Sequence, residues 1–223
     1  MIVSLLLYAI SISLVNYDSE SVPLFYNGTT VNITEYETEL AADNSKLSGI
    51  AIGNSTLNDV QKKFGVSQVY KDNTYEESPD ALYYISSIND DNTVVIFASG
   101  PMGGWETVDN ITITTKDMLE ESNIKCTPTK LISRNMRTDS GLVLGLNKQQ
   151  VENIIGVKPT MVVNDTYVFS TSVQKKMTDA EFDKARSGFT SLSDNYYTLW
   201  WYIEARFKND RLVYINITTA EEL

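Results

Sequence analysis

The chain has 223 residues, 42% of them hydrophobic, which is enough to bury one or two ordinary cores. Eighteen basic against 29 acidic side chains give a formal charge of -11, so there is no basic footprint for nucleic acid. There is no histidine, which excludes Ser-His-Asp and Cys-His nucleophile activation and every zinc site that needs imidazole.

Residues 1–15, MIVSLLLYAISISLV, are apolar or small throughout and give way to the polar run Asn16-Tyr17-Asp18-Ser19-Glu20. This length matches a signal-peptide core and is short for a spanning helix. Residues 1–20 are therefore expected to be a signal peptide or N-terminal anchor. The protein is then extracytoplasmic, touching a membrane only through that segment if it is uncleaved. A buried N-terminal strand or helix is the competing reading. Residues 21–46 read as an extended segment. Cys126 is the only cysteine, so no intramolecular disulfide forms and, without a His partner, it is a poor nucleophile. Six Asn-x-Ser/Thr acceptors (Asn27, Asn32, Asn54, Asn110, Asn164 and Asn216) fit the Asn-, Ser- and Thr-rich composition and are read as such.

From Gly49 the chain shows an internal echo. Gly49-Ile-Ala-Ile-Gly53, then Val60 and Gly65, answers Gly141-Leu-Val-Leu-Gly145, then Val151 and Gly156. The first two glycines are 92 residues from their counterparts and the third is 91. In each copy a short strand or extended turn leads into a helix. In the first, Thr56 and Asp59 stand at capping-box spacing, Leu57, Val60 and Phe64 share a face, and Gly65 ends the helix. In the second, Asn147 caps with Gln150 three residues on, Val151, Ile154 and Ile155 are apolar, and Gly156 stops the helix before Pro159. Helices this short borrow their stability from a sheet.

Strands follow in both copies. The first has runs at 81–88, 94–98 and 108–114, turning at Asn89-Asp90-Asp91-Asn92 and at the glycine-rich 100–104. The second has 161–170, 196–207 and 211–218, with Lys208-Asn209-Asp210 as a tight turn. Thr178-Asp179-Ala180-Glu181 opens a helix that runs toward Gly188 as an insertion. Ile111-Thr112-Ile113-Thr114-Thr115 is echoed by Ile215-Asn216-Ile217-Thr218-Thr219, each followed by an acidic, helix-prone stretch. The expected fold is α+β: two tandem repeats, 47–119 and 141–223, joined by a linker at 120–140. Each is a short helical segment on an antiparallel meander.

The pattern Gly145-Leu-Asn-Lys-Gln-Gln-Val151-x-x-Ile-Ile-Gly156-Val-x-Pro159, an aromatic strand, a turn and Leu212-Val213-Tyr214-Ile215 resembles a small repeat. That repeat is shared by outer-membrane assembly lipoproteins of the SmpA/OmlA type and by the β-lactamase inhibitory proteins. The resemblance covers most of 47–219. It implies a helix-covered sheet whose other face meets a partner. The chain lacks the lipobox of the lipoproteins and the disulfides of the inhibitors, and no partner or inhibitory residue is carried over.

Alternation along 196–207 puts Tyr197, Leu199, Trp201, Ile203, Ala205 and Phe207 on a core face. Tyr196, Thr198, Trp200, Tyr202, Glu204 and Arg206 fall on the other. The second set has the composition of a recognition surface. Tyr196, Trp200, Tyr202 and Arg206 are thus candidate binding residues, with Tyr83 and Trp105 as extensions. Two readings compete for them: a surface for a partner, or packing under segment 22–40 or the sister repeat; for Trp105 a lid on the core edge is preferred to a ligand anchor. The carboxylates at Glu76-Glu77, Asp80, Asp90-Asp91 and Glu120-Glu121 lack calcium-loop and glycosidase spacing. They read as solvated turns whose charge provides solubility or steering toward a basic partner. No cofactor or metal is expected. The function expected is non-enzymatic binding of an unidentified protein through the aromatic face or the inter-repeat groove. A hydrolase using two carboxylates and a purely structural envelope component are the alternatives.

Overall fold

The computed structural model describes residues 45–71, 80–100, 107–119, 124–176 and 196–222, together with Asp179. The expected signal peptide, Trp105, the acidic pairs at 76–77 and 120–121, and the helix over 178–188 lie outside them. The protein is α+β, mostly antiparallel sheet, with two complete helices among the described residues.

A two-residue ladder pairs β1 (Lys46–Leu47) with β2 (Ile50–Ala51) and leads into α1 (Leu57–Phe64). Then come β3 (Val69–Lys71), β4 (Asp80–Ser86), β5 (Thr93–Ser99) and β6 (Asn110–Thr115). A 3-10 turn at Lys116–Met118 follows, then β7 (Thr127–Thr129) and α2 (Lys148–Ile155). The chain ends through β8 (Met161–Val163), β9 (Thr166–Lys176), β10 (Tyr196–Lys208) and β11 (Arg211–Glu222). One nine-stranded sheet results, ordered β3-β4-β5-β6-β11-β10-β9-β8, with β7 added in parallel to β4. The last strand of each half, β6 and β11, pairs antiparallel at the centre, Ile113 opposite Ile215 and Ile111 opposite Ile217. The two halves therefore share one continuous sheet.

Both helices start as the sequence dictates. Thr56 Oγ1 accepts from the Asp59 amide while Asp59 Oδ2 accepts from the Thr56 amide; Asn147 and Gln150 do the same for α2. Each helix buries the residues its spacing singled out, Val60 and Phe64 in α1 and Val151 and Ile155 in α2. They pack on one sheet face in a single core with Leu82, Tyr84, Val95, Phe97, Ile111, Ile113, Phe169, Ile203, Ala205, Phe207, Ile215 and Ile217. Gly53 and Gly145 both have positive φ, 74° and 91°, where a side chain would be strained. That conformation aims each amide at the foot of the sheet: Gly53 N donates to Val108 O and Gly145 N to Leu212 O, both at 2.8 Å.

Four expectations are corrected. The run 161–170 is not one strand but the hairpin β8–β9, broken at Asn164-Asp165, where Asn164 has φ 53°; an Asn tolerates the left-handed region that β-branched residues resist. The acidic residues after Thr219 continue β11 to Glu222 because β10 is long enough to pair with them, Glu222 opposite Thr198. Val108 precedes β6 and is held instead by loop bonds to Gly53 and Ser55. The linker 120–140 is not merely a connector, since it supplies β7, and Ile132 from it is fully buried.

Candidate recognition surface

The surface is built on β10. Its register against β9 and β11 fixes which side chains share a face: Ile203, Ala205 and Phe207 are buried under the helices, with Trp201 packed partly against the same core. Thr198, Trp200, Tyr202, Glu204 and Arg206 therefore project from the opposite face. Trp200 and Tyr202 lie stacked, centroids 6.1 Å apart with an interplanar angle of 17°. Successive same-face residues on a strand stand about 7 Å apart, so the rings meet in an offset stack by lying over along the strand.

Below them Arg206 is held in two ways. Its Nε donates to Glu204 Oε1 at 2.6 Å, and its guanidinium lies 4.3 Å from the ring centroid of Tyr214, its cross-strand neighbour on β11. Both charged side chains are largely covered, 19% and 12% exposed, so screening by water is weak and the pair fixes the guanidinium plane. Burial raises the Tyr214 phenol, reinforced by the Glu204 carboxylate and opposed by Arg206.

Beside this row lies a polar seam. Asn216 on β11 donates to Thr112 Oγ1 at 2.9 Å and accepts from Asn110 Nδ2 at 3.2 Å. Thr112, Thr114 and Thr218 are all buried on this face. Thr114 donates to Val213 O and Thr218 to Asp109 O, both at 3.2 Å.

Of the residues singled out from sequence, Trp200, Tyr202 and Arg206 are brought together. Tyr196 begins β10 opposite Lys176, and its side chain lies outside the description. Tyr83 is on the same face but on β4, four strand spacings away, about 19 Å. It packs edge-on against Tyr70 at 5.3 Å. Tyr83, Trp200, Tyr202 and Arg206 each also engage a further partner within the chain. Tyr214 was missed by sequence reading although alternation along 211–218 could have placed it; its importance depends on facing Arg206, which is a matter of register.

Other chemistry is sparse among the described residues. No group of three or more His, Cys, Asp or Glu is placed to hold a metal, and no described helix is long and apolar enough to cross a membrane. Burial raises the Cys126 thiol, which disfavours the reactive thiolate. No protein-family model matches the chain, and no curated protein or solved structure matches it.

Proposed function

We propose that the protein is an exported, non-enzymatic binding module of two tandem copies, which recognises a protein partner through the β10–β11 face. The two-copy reading is supported by backbone bonds that recur at the echo's own spacing. Gly53 N to Val108 O is matched by Gly145 N to Leu212 O, and Val108 N to Ser55 O by Leu212 N to Leu146 O, the latter pair both at 2.7 Å. The two capping boxes fall at equivalent places between them. This arrangement accords with the resemblance to the lipoprotein and inhibitor repeats.

The observation that carries the binding reading is the row Trp200, Tyr202, Arg206 and Tyr214, stacked and charge-locked on the face opposite the helices. Fixed aromatics and a planar guanidinium lose little conformational entropy on binding, which is why such residues concentrate interface energy. The test is capture of partners from the producing cells and their surroundings by the full chain, followed by titration of the retained protein. The double substitution Trp200→Ala/Tyr202→Ala is expected to weaken that affinity by about 2 kcal/mol or more with the unfolding transition still cooperative. Unchanged affinity would remove this face from the function.

A further inference from the structure

We propose that the partner of the β10–β11 face is a second copy of this chain, packed sheet to sheet about a two-fold axis; this names the partner in the binding reading above and rests on it. Opposite the helices the sheet runs from β4 through β5, β6, β11 and β10 to β9. Over the described stretches 81–85, 94–98, 110–114, 214–218, 200–206 and 168–172, the only charged side chains on that face are Glu204 and Arg206, and these two neutralise each other. The chain as a whole is 21% charged. A sheet face turned to water ordinarily collects polar and charged residues, whereas depletion of charge with Trp, Tyr and Arg retained marks the centre of an interface. Tyr83, Ile96, Trp200 and Tyr202 are half-buried and keep surface for a partner.

Charge selects the kind of partner. A basic surface would be recognised by carboxylates, and this face presents none that is unpaired. At -11 overall, two copies repel wherever their ordinary surfaces meet, so a face without net charge is the place where like chains can approach.

Shape selects the second copy. In the sheet order β5 and β10 flank the central β6–β11 pair on its two sides. A two-fold axis running along the strands above that pair exchanges the sides, so β5 of one copy lies over β10 of the other, and the contact is made twice. Register places Tyr202 in line with Thr218 and Asn110, and these with Ala98 and Ala81. The exchange therefore brings the bulky Trp200–Tyr202 stack of one copy over the small alanines and Ile96 of the other. Large side chains set against small ones are how two aligned sheets interdigitate. At the axis the amides of Asn110 and Asn216 meet their own equivalents, and an amide, being donor and acceptor at once, can pair with itself.

The size is adequate. Six strands about 4.8 Å apart span roughly 24 Å, and three to four outward residues along each add roughly 20 Å. Side-chain relief raises that flat footprint of about 500 Å² toward the roughly 800 Å² that each partner gives to a stable complex.

The test is sedimentation equilibrium of the full chain at about 1–100 µM, a range that brackets a modest interface of this size. A concentration-dependent dimer is expected, and it should tighten by roughly twofold or more between 50 and 500 mM NaCl, since salt screens the repulsion between two like chains. A monomer throughout, or a dimer that salt dissociates, would overturn the proposal. Ile96→Lys on β5 and Tyr202→Glu on β10, each checked for a wild-type far-UV spectrum, should weaken the dimer at least about tenfold, and an equimolar mixture of the two should regain it because the new charges face each other. If either variant fails to fold, Trp200→Ala/Tyr202→Ala takes its place and should weaken the dimer by at least about tenfold. Val66→Glu, at an 85% exposed position after α1, should leave the dimer intact. Folded single variants that still dimerise, a mixture that stays monomeric, or dissociation by Val66→Glu would each overturn the proposed contact. A monomeric wild type whose captured partner loses affinity in Trp200→Ala/Tyr202→Ala would overturn the second copy and leave the binding reading standing.

Discussion

Matched by register, the two halves agree where they face the helices and differ where they do not. Phe97 and Val95 stand where Ala205 and Ile203 stand, and Ile111 and Ile113 where Ile215 and Ile217 stand, all buried and apolar. On the other face Val94, Ile96 and Ala98 of β5 are answered by Tyr202, Glu204 and Arg206 of β10. Packing restricts the helix side to apolar side chains that fill the space. On the other face the first half is packed with small and apolar side chains, Val94 being fully buried and Ala98 nearly so, whereas the second half carries a stacked aromatic and charged row.

The strongest way to break the comparison is to empty matched core positions. Tyr84→Ala and Phe169→Ala should each destabilise the protein by about 3–5 kcal/mol. Because β6 and β11 join the halves in one sheet and one core, both substitutions should lower the same urea midpoint. Two separate transitions, by far-UV circular dichroism and tryptophan fluorescence, would show halves that unfold independently.

Matched caps sharpen the comparison at smaller amplitude. Thr56→Ala and Asn147→Ala should each cost about 1 kcal/mol. Thr56→Ala should cost more, because the Thr56 hydroxyl also bonds the Asp59 carboxylate at 2.8 Å and charged acceptors make stronger bonds. Equal midpoints for the two variants would make that extra bond energetically silent.

The smallest effect is in acid. Lys62, then the amide and hydroxyl of Thr56, hold Asp59 down to about 2, whereas the matching residue of α2 is the non-titrating Gln150. A carboxyl depressed in the folded state contributes fully above its unfolded value near 4 and loses that contribution as pH falls through about 2. Asp59 is well exposed, so the contribution is modest. Asp59→Asn should lower the urea midpoint at pH 6 and leave it near wild type at pH 2. A deficit of the same size at both pH values would assign the loss to hydrogen-bond geometry, not charge.

Much of this was legible beforehand because the signals are local. Thr56 with Asp59 and Asn147 with Gln150 specify helix starts within four residues, and the alternation along 196–207 sorted Ile203 from Tyr202 without any knowledge of partners. The hairpin at Asn164-Asp165 was misread because Met161, Val162 and Val163 run on in apolar type to Val168 and Phe169, and only the left-handed Asn164 breaks them. β7 escaped notice for a different reason: Thr127-Pro128-Thr129 has little strand character of its own and is held by its seat on β4.

By itself the sequence determined the helix caps, the faces of the long strands and the paired glycine turns, because each depends on residues adjacent or one turn apart. Only the tertiary structure decided that β6 pairs with β11, that Tyr214 lies under Arg206, and that the linker adds β7 to β4. Those depend on strand order and register, which bring together residues a hundred or more positions apart, and no local pattern encodes which of several compatible edges will meet.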